Sequence, residues 1–409
     1  MYCHVLTKFV LIILVLALYF RAPAQSSQGV IYGAIALKNG QQYEGQIRWE
    51  NRQALWDDVF EAPKIERATQ NLANVPEARK KEEQQDDFKL GFMELWADKD
   101  PYITFPFRCS FGDIFSLEIK NDKQVLLTLK NGDQIKLKNG QGDLGDDLLI
   151  YDNHLGRLDL DLNEIRSINF KKTPTAFVSK MGSPVYGSIL TTIGIFEGYI
   201  IWDMEERLGK DLISGRQQGV KIDIEFKDIA QLKTQGNGSL IELKSGKSVF
   251  LNDHDDVSRG NHGIGIKNPA FGTLFFDWKN FISADFAVPA KAPQQYDDFQ
   301  RPQLLSGAVF TKIGARHSGE LVYDLDEKYN IEFLNGENNG FEYYIPLKQV
   351  TRIEPQNDKF STVYLKGGRQ FLLGNNSDVN ANNHGLILTP ANGIAAYFAW
   401  KDIKRIELE

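Results

Sequence analysis

From residue 31 to the end, the chain is written in short runs where apolar and polar residues alternate, each run broken by glycine. Alternation with a period of two is the mark of a strand with one face in a core. Six runs end in hairpin-type turns: Leu37-Lys38-Asn39-Gly40, Leu129-Lys130-Asn131-Gly132, Thr192-Ile193-Gly194, Leu243-Lys244-Ser245-Gly246, Lys312-Ile313-Gly314 and Leu365-Lys366-Gly367-Gly368. Asn-Gly, Ser-Gly and Gly-Gly supply the positive φ that tight hairpin loops require. A second alternating run follows each turn.

Each turn has a matching close, in which a polar residue precedes a large apolar one and another apolar residue stands three positions later. The copies are Asp113-Ile114…Leu117, Glu164-Ile165…Ile168, Asp228-Ile229…Leu232, Asn280-Phe281…Ala284, Gln349-Val350…Ile353 and Asp402-Ile403…Ile406. One turn and one close define a unit of about 50 residues. Units alternate between two types. In one, a second glycine opens an apolar–x–aromatic element, at Gly45…Trp49, Gly198…Trp202 and Gly319…Tyr323; in the other, the turn leads straight to Ile135 and Leu137, Val249 and Leu251, or Phe371 and Leu373. The large repeat is therefore a pair of units, present three times, and Trp278 and Trp400 occupy matching places 122 residues apart.

The expected organisation is a first pair over 25–171, a second over 172–287, a linker over 288–304 marked by Pro289, Pro293 and Pro302, and a third pair over 305–409. Residues 62–100 interrupt the first pair. Glu77-Ala78-Arg79-Lys80-Lys81-Glu82-Glu83, followed by Phe88, Phe92 and Leu95 at helical spacing, predicts a helical insertion there.

Strand, Asn-Gly turn, three strands, a short turn and a last strand is an order that resembles the SH3-like or Sm-like small barrel. Val125-Leu126-Leu127-Thr128-Leu129-Lys130-Asn131-Gly132-Asp133-Gln134-Ile135-Lys136-Leu137 is especially similar to an Sm-type opening. The resemblance implies an all-β tandem array of six small barrel units in three pairs. The RNA binding of Sm proteins is not carried over, because a fold does not bring its activity with it.

Residues 1–24 read as a cleaved leader, the alternative being an uncleaved anchor, for which the apolar run falls short of a normal span of about 20 residues. The apolar run Val5–Phe20 is followed by Arg21-Ala22-Pro23-Ala24, a small-residue cleavage pattern that makes Gln25 the first mature residue. Removing Lys8 and Arg21 leaves 45 basic against 54 acidic residues, a net charge of −9. Such a balance argues against nucleic acid as partner, since phosphate binding needs clustered Lys and Arg. No second apolar run of membrane length follows, so no membrane span is expected after cleavage. Cys109 is the one cysteine left, which excludes an intramolecular disulfide.

Two matching loops carry the most specific candidate chemistry. Asp253, Asp255, Asp256 and Asn261 in one, and Asp378, Asn380 and Asn383 in the other, surround a shared Asp-Val…Asn-His-Gly pattern. Clustered Asp and Asn oxygens suit a hard cation such as Ca2+, although the spacing is not that of an EF-hand and no closing Glu is present. The same residues also make ordinary turns, with Asn and Gly left-handed and Asp capping amides. His262 and His384 stand alone in their units, short of a metal-binding set. Asp203, Glu205, Glu206, Asp324 and Asp326 admit a glycosidase-like carboxylate pair, or simply polar strand ends. Trp49, Trp202, Trp278 and Trp400 fit core packing, or a carbohydrate-stacking row if exposed. No catalytic constellation converges. The expectation is an exported, non-enzymatic binding or scaffolding protein of a bacterial periplasm or cell envelope, acting on a protein or envelope polymer; the alternative is a carbohydrate-binding or carbohydrate-active protein.

Overall fold

The computed structural model describes residues 29–49, 52–67, 102–145, 147–391 and 393–409. The leader and residues 68–100 of the expected helical insertion lie outside them. Residues 62–67, assigned to that insertion from the sequence, are strand instead. Ala62 is buried and its segment pairs residue by residue with Tyr102–Ser110, so the apolar face of a hairpin extends into the stretch read as an insert.

The described residues are all-β, with thirty strands and only short 3-10 turns between them. None of their helices is long and apolar enough to cross a membrane. The first block holds β1 (Tyr32–Leu37), β2 (Gln42–Trp49), β3 (Val59–Arg67), β4 (Tyr102–Ser110), β5 (Ile114–Asn121), β6 (Gln124–Leu129), β7 (Gln134–Lys138), β8 (Leu148–Asp152), β9 (Gly156–Leu160) and β10 (Ile165–Phe170). The second holds β11 (Tyr186–Thr191), β12 (Gly194–Ile201), β13 (Leu212–Gln217), β14 (Val220–Glu225), β15 (Ile229–Gln235), β16 (Gly238–Leu243), β17 (Ser248–Asn252), β18 (Ile264–Asn268), β19 (Gly272–Phe276) and β20 (Phe281–Phe286). The third holds β21 (Ser306–Thr311), β22 (Arg316–Val322), β23 (Phe333–Asn338), β24 (Phe341–Pro346), β25 (Val350–Pro355), β26 (Phe360–Leu365), β27 (Gln370–Gly374), β28 (Leu386–Thr389), β29 (Ala396–Phe398) and β30 (Ile403–Leu408).

The first block is one antiparallel sheet in the order β4-β3-β7-β6-β5-β10-β1-β2-β8-β9. In the second block the ladders run β14-β13-β17-β16-β15-β20-β11-β12-β18-β19. The third follows the same order, from β24 through β30 and β21 to β29. β19 pairs with β24, which joins blocks two and three into a single sheet of twenty strands.

This pairing corrects one expectation. A unit of consecutive strands was expected to close on itself, yet β5 pairs with β6 and β10, while β1 pairs with β10. Likewise β2 takes β8, and β7 takes β3. Each unit of a pair lends its middle hairpin to the other unit. In the loop between β2 and β3, Asp58 accepts the amides of Ala54 and Leu55.

The six closing patterns have one local structure. In each, the polar residue ends a 3-10 turn and the apolar residue opens the next strand, as at Phe111–Asp113 before Ile114 and Trp400–Asp402 before Ile403. A register shift follows at once, between Ile114 and Ser116, Ile229 and Gln231, and Val350 and Arg352. The extra bulged residue changes the strand's phase. Residues three apart therefore point into the same core, and Leu117, Ile168, Leu232, Ala284, Ile353 and Ile406 are all fully buried.

The expected linker, largely exposed, touches block one through Phe299 and Tyr296. Phe299 is buried against Gly112, where a β-carbon would stand 2.3 Å from its ring, and the Tyr296 hydroxyl donates to the Ile114 carbonyl at 2.9 Å. The segment between blocks two and three thus straps across block one.

Candidate functional site

The three blocks meet around loops that follow β2, β12 and β22. A buried aromatic residue stands at the end of β2, Trp49, and directly after β12 and β22, Trp202 and Tyr323. Nine residues later comes a carboxylate: Asp58, Asp211 or Glu332. One oxygen of each accepts two backbone N–H groups of its own loop, from Ala54 and Leu55 at 2.7 and 2.8 Å, Arg207 and Leu208 at 2.8 and 2.9 Å, and Lys328 and Tyr329 at 2.6 and 2.9 Å. The other oxygen faces a neighbouring block. Asp58 receives Lys267 at 2.7 Å and Arg207 at 3.1 Å, Asp211 receives Arg48 at 2.6 Å, and Glu332 receives Lys64 at 2.7 Å. These pairs are buried, with side-chain exposures of 1% for Asp58 and 4% for both Lys267 and Arg207. Burial alone would raise the Asp58 pKa, but Arg207 and Lys267 outweigh it and hold the carboxyl well below its usual range.

The aromatic residues are latched in the same way in all three blocks. Trp49 Nε1 donates to the Asp143 carbonyl at 2.5 Å, Trp202 Nε1 to the Asp256 carbonyl at 2.8 Å, and the Tyr323 hydroxyl to the Asp378 carbonyl. The carboxylates of those aspartates each accept a strand amide: Glu61 at 2.7 Å, Ser214 at 2.6 Å and Asn335 at 2.7 Å. Burial, then the neighbouring Asp324, pushes the Asp378 pKa up to about 8; burial, then Asp256, pushes Glu206 to about 8 as well. Asp326 rises to about 7 through burial, against the pull of Lys64.

The candidate cation ligands are placed by these latches. Asp256 and Asp378 are buried and turned toward strand amides, and Asn261 and Asn383 accept from Gly263 at 3.0 Å and Gly385 at 2.8 Å, within their own turns. Asn380 accepts from Asn382 at 2.7 Å, Asp253 sits at a left-handed position with φ 53°, and Asp255 begins a 3-10 turn with its side chain exposed. His262 and His384 each place ring Nδ1 on an aspartate, Asp203 at 3.0 Å and Asp324 at 2.8 Å. Among the described residues no group of three or more His, Cys, Asp or Glu side chains is arranged to hold a metal ion.

Over the block junction lies an open groove. A cleft of about 190 Å³ includes Arg52, Asp58, Glu61, Met204, Phe275 and Tyr344 in its lining, from all three blocks. Past Met204, Phe275 and Tyr344 it meets a second cleft of about 300 Å³, reached by His262, Lys279, Glu337 and Glu342. Phe275 and Tyr344 meet edge to face at 5.4 Å across the block 2–block 3 ladder, and Met204 lies 36% exposed beside them. The carboxylates here are engaged: Glu61 by a two-point contact from Arg108 at 2.8 Å, Glu342 by the Tyr344 hydroxyl at 3.0 Å, Glu337 by the Gly340 amide at 3.2 Å. An aromatic and thioether floor with charges of both signs around it suits contact with a mixed polar and apolar surface.

Sequence reasoning missed Asp58, Arg207, Lys267 and Lys64, whose roles depend on a neighbouring block. The shared nine-residue spacing after Trp49, Trp202 and Tyr323 was the available signal. No protein-family model matches the chain, and neither the curated proteins nor the solved structures contain a match to it.

Proposed function

We propose that this chain is an exported, non-enzymatic binding or scaffolding protein of the bacterial periplasm or cell envelope, and that the groove at the block junction contacts its partner, a protein or an envelope polymer. In this reading the five-strand sets β10-β1-β2-β8-β9 and β5-β6-β7-β3-β4 are SH3-like modules, one inserted into the other. A 3-10 turn leads into the last strand of each. The observation that carries the functional reading is the burial of Trp49, Trp202, Trp278 and Trp400, at 0, 0, 8 and 6% exposure. A sugar-stacking platform would present such rings to solvent. Of the five carboxylates weighed for a hydrolase, Asp203 and Asp324 hold histidine turns and Asp326 faces Lys64, while Glu206 is half-buried and Glu205 is exposed.

A photo-crosslinking residue at Met204, introduced into the full chain in the producing cell, tests the groove. A discrete adduct is expected from Met204 and none from a probe at exposed Leu155 on block one. Equal patterns from both positions would refute the groove as the contact face. Sequencing the N-terminus of the protein in the periplasmic fraction tests export, with Gln25 the expected first residue.

A further inference from the structure

Backbone hydrogen bonds mark the same place in every block. Phe111, Phe226 and Leu347 open equivalent 3-10 turns, and the N–H of the next residue, Gly112, Lys227 or Lys348, donates to the carbonyl of Trp56, Gly209 or Asn330 at 2.7, 2.8 and 2.6 Å. Trp56, Gly209 and Asn330 donate in turn to the Gly29, Ser183 and Gln303 carbonyls. The main-chain N–H groups of Lys130, Lys244 and Lys366 donate to the last residue of each turn.

In block one the strap fills the cleft that these residues border. A β-carbon on Gly29 would lie 2.5 Å from Pro293, the Tyr296 and Trp56 ring centroids are 4.6 Å apart, and Phe299 covers Gly112. The Lys130 ammonium donates to the Tyr296 and Phe299 carbonyls and sits 3.5 Å above the Tyr296 ring. In block three the same place faces block one, where Tyr329 and Ile331 join the core and Lys348 stands 3.7 Å from Asp113. In block two it is an open cleft of about 210 Å³, bordered by Ser183, Gly209, Lys210, Lys227 and Lys244, and no described segment fills it. Phe226 and Phe286, edge to face at 5.7 Å, lie in its lining.

Three exchanges give the open cleft its own chemistry. Gly209 leaves free the space that Trp56 takes in block one, Lys227 stands where Gly112 receives Phe299, and Lys210 replaces Asp57. Three exposed lysines therefore line it. The Lys227 ammonium is held by Glu225 and Asp228, while the Lys244 ammonium gives one proton to the Lys227 carbonyl at 2.7 Å and has two more to donate. We propose that the block-two cleft binds an extended, acidic segment of a partner protein that carries an aromatic residue, seated much as the strap is seated in block one. The ring lies beside Gly209 against Phe226 and Phe286, Lys244 donates to main-chain carbonyls as Lys130 does, and carboxylates meet Lys210 and Lys227. This seat shares no residue with the groove at the block junction, so either can fail alone.

Fluorescence anisotropy of a labelled peptide copying the strap residues Pro293–Phe299, titrated with the full chain, tests this. Saturable binding is expected. Lys244→Glu should weaken it by about tenfold or more, as should asparagine in place of both aspartates of the peptide. Gly209→Trp, which restores the residue type of block one, should abolish it. Lys366→Glu, at the block-three counterpart, should leave it unchanged, and both exposed lysine variants should keep the wild-type melting temperature. No binding at about 1 mM peptide would overturn the proposal, as would binding that a folded Lys244→Glu variant leaves unchanged. A photo-crosslinking residue at Lys210 should join the peptide; a link within the chain to Gln84-Gln85-Asp86-Asp87-Phe88, a sequence close to that of the strap, would overturn an outside partner.

Discussion

At the residue scale, the most informative groups are those the chain hides. Asp58 is a buried carboxylate with two amides on one oxygen and two cations from another block on the other. A buried charge contributes only when its partners are complete, and removing one partner leaves the rest uncompensated at a cost of about 3–5 kcal/mol. Asp58→Asn is therefore expected to lower stability by about that amount, measured by urea denaturation; a loss under about 1 kcal/mol would mean the junction is solvated and loosely held. Legibility in the sequence divided along the same line. That Trp49 and Trp202 belong to a core could be weighed from their matching positions. Lys267 could not be assigned, because its partner Asp58 lies 209 residues away and neither belongs to a local motif.

At the element scale, the alternation and turn glycines were enough to place most strands. Gly40, Gly132, Gly246 and Gly314 all have φ between 84° and 95°. The three-residue spacing of the closing pattern was visible as well, though its cause, a bulge one residue into each strand, is a property of the pairing. What the sequence did not disclose is which hairpin each strand joins, since a half-buried strand reads the same beside either neighbour. The second glycine of the first unit type now has a reason. Gly187 faces Gly198 in the β11–β12 ladder, and a β-carbon on Gly198 would lie 2.1 Å from the Lys267 carbonyl of β18. Gly198→Ala must push β12 off β18, and the expected loss is about 1–3 kcal/mol with a lower melting temperature. An unchanged melting temperature would show that the close approach is not required.

At the scale of the whole molecule, the buried acids predict a pH profile. Glu206, Asp326 and Asp378, raised to about 8, 7 and 8, keep protons in the folded chain that the unfolded chain releases above about pH 4. Stability contributed by these groups is complete below that value and is lost as pH rises through 7 to 8. Asp58, with its lowered pKa, acts in the opposite sense and loses its contribution as pH falls below about 4. The urea midpoint should therefore be higher at about pH 5.5 than at about pH 8.5, and Asp378→Asn should reduce the difference. A flat profile would contradict the burial of these acids.

Trp49, Trp202, Trp278 and Trp400 are buried, so no sugar-stacking row of these rings faces solvent, in keeping with the proposed binding or scaffolding role. A glycan array run with a hydrolysis screen on the full chain tests it most directly. No specific glycan signal and no hydrolysis are expected; specific binding or cleavage that is lost on Tyr344→Ala in the groove would overturn the proposed role.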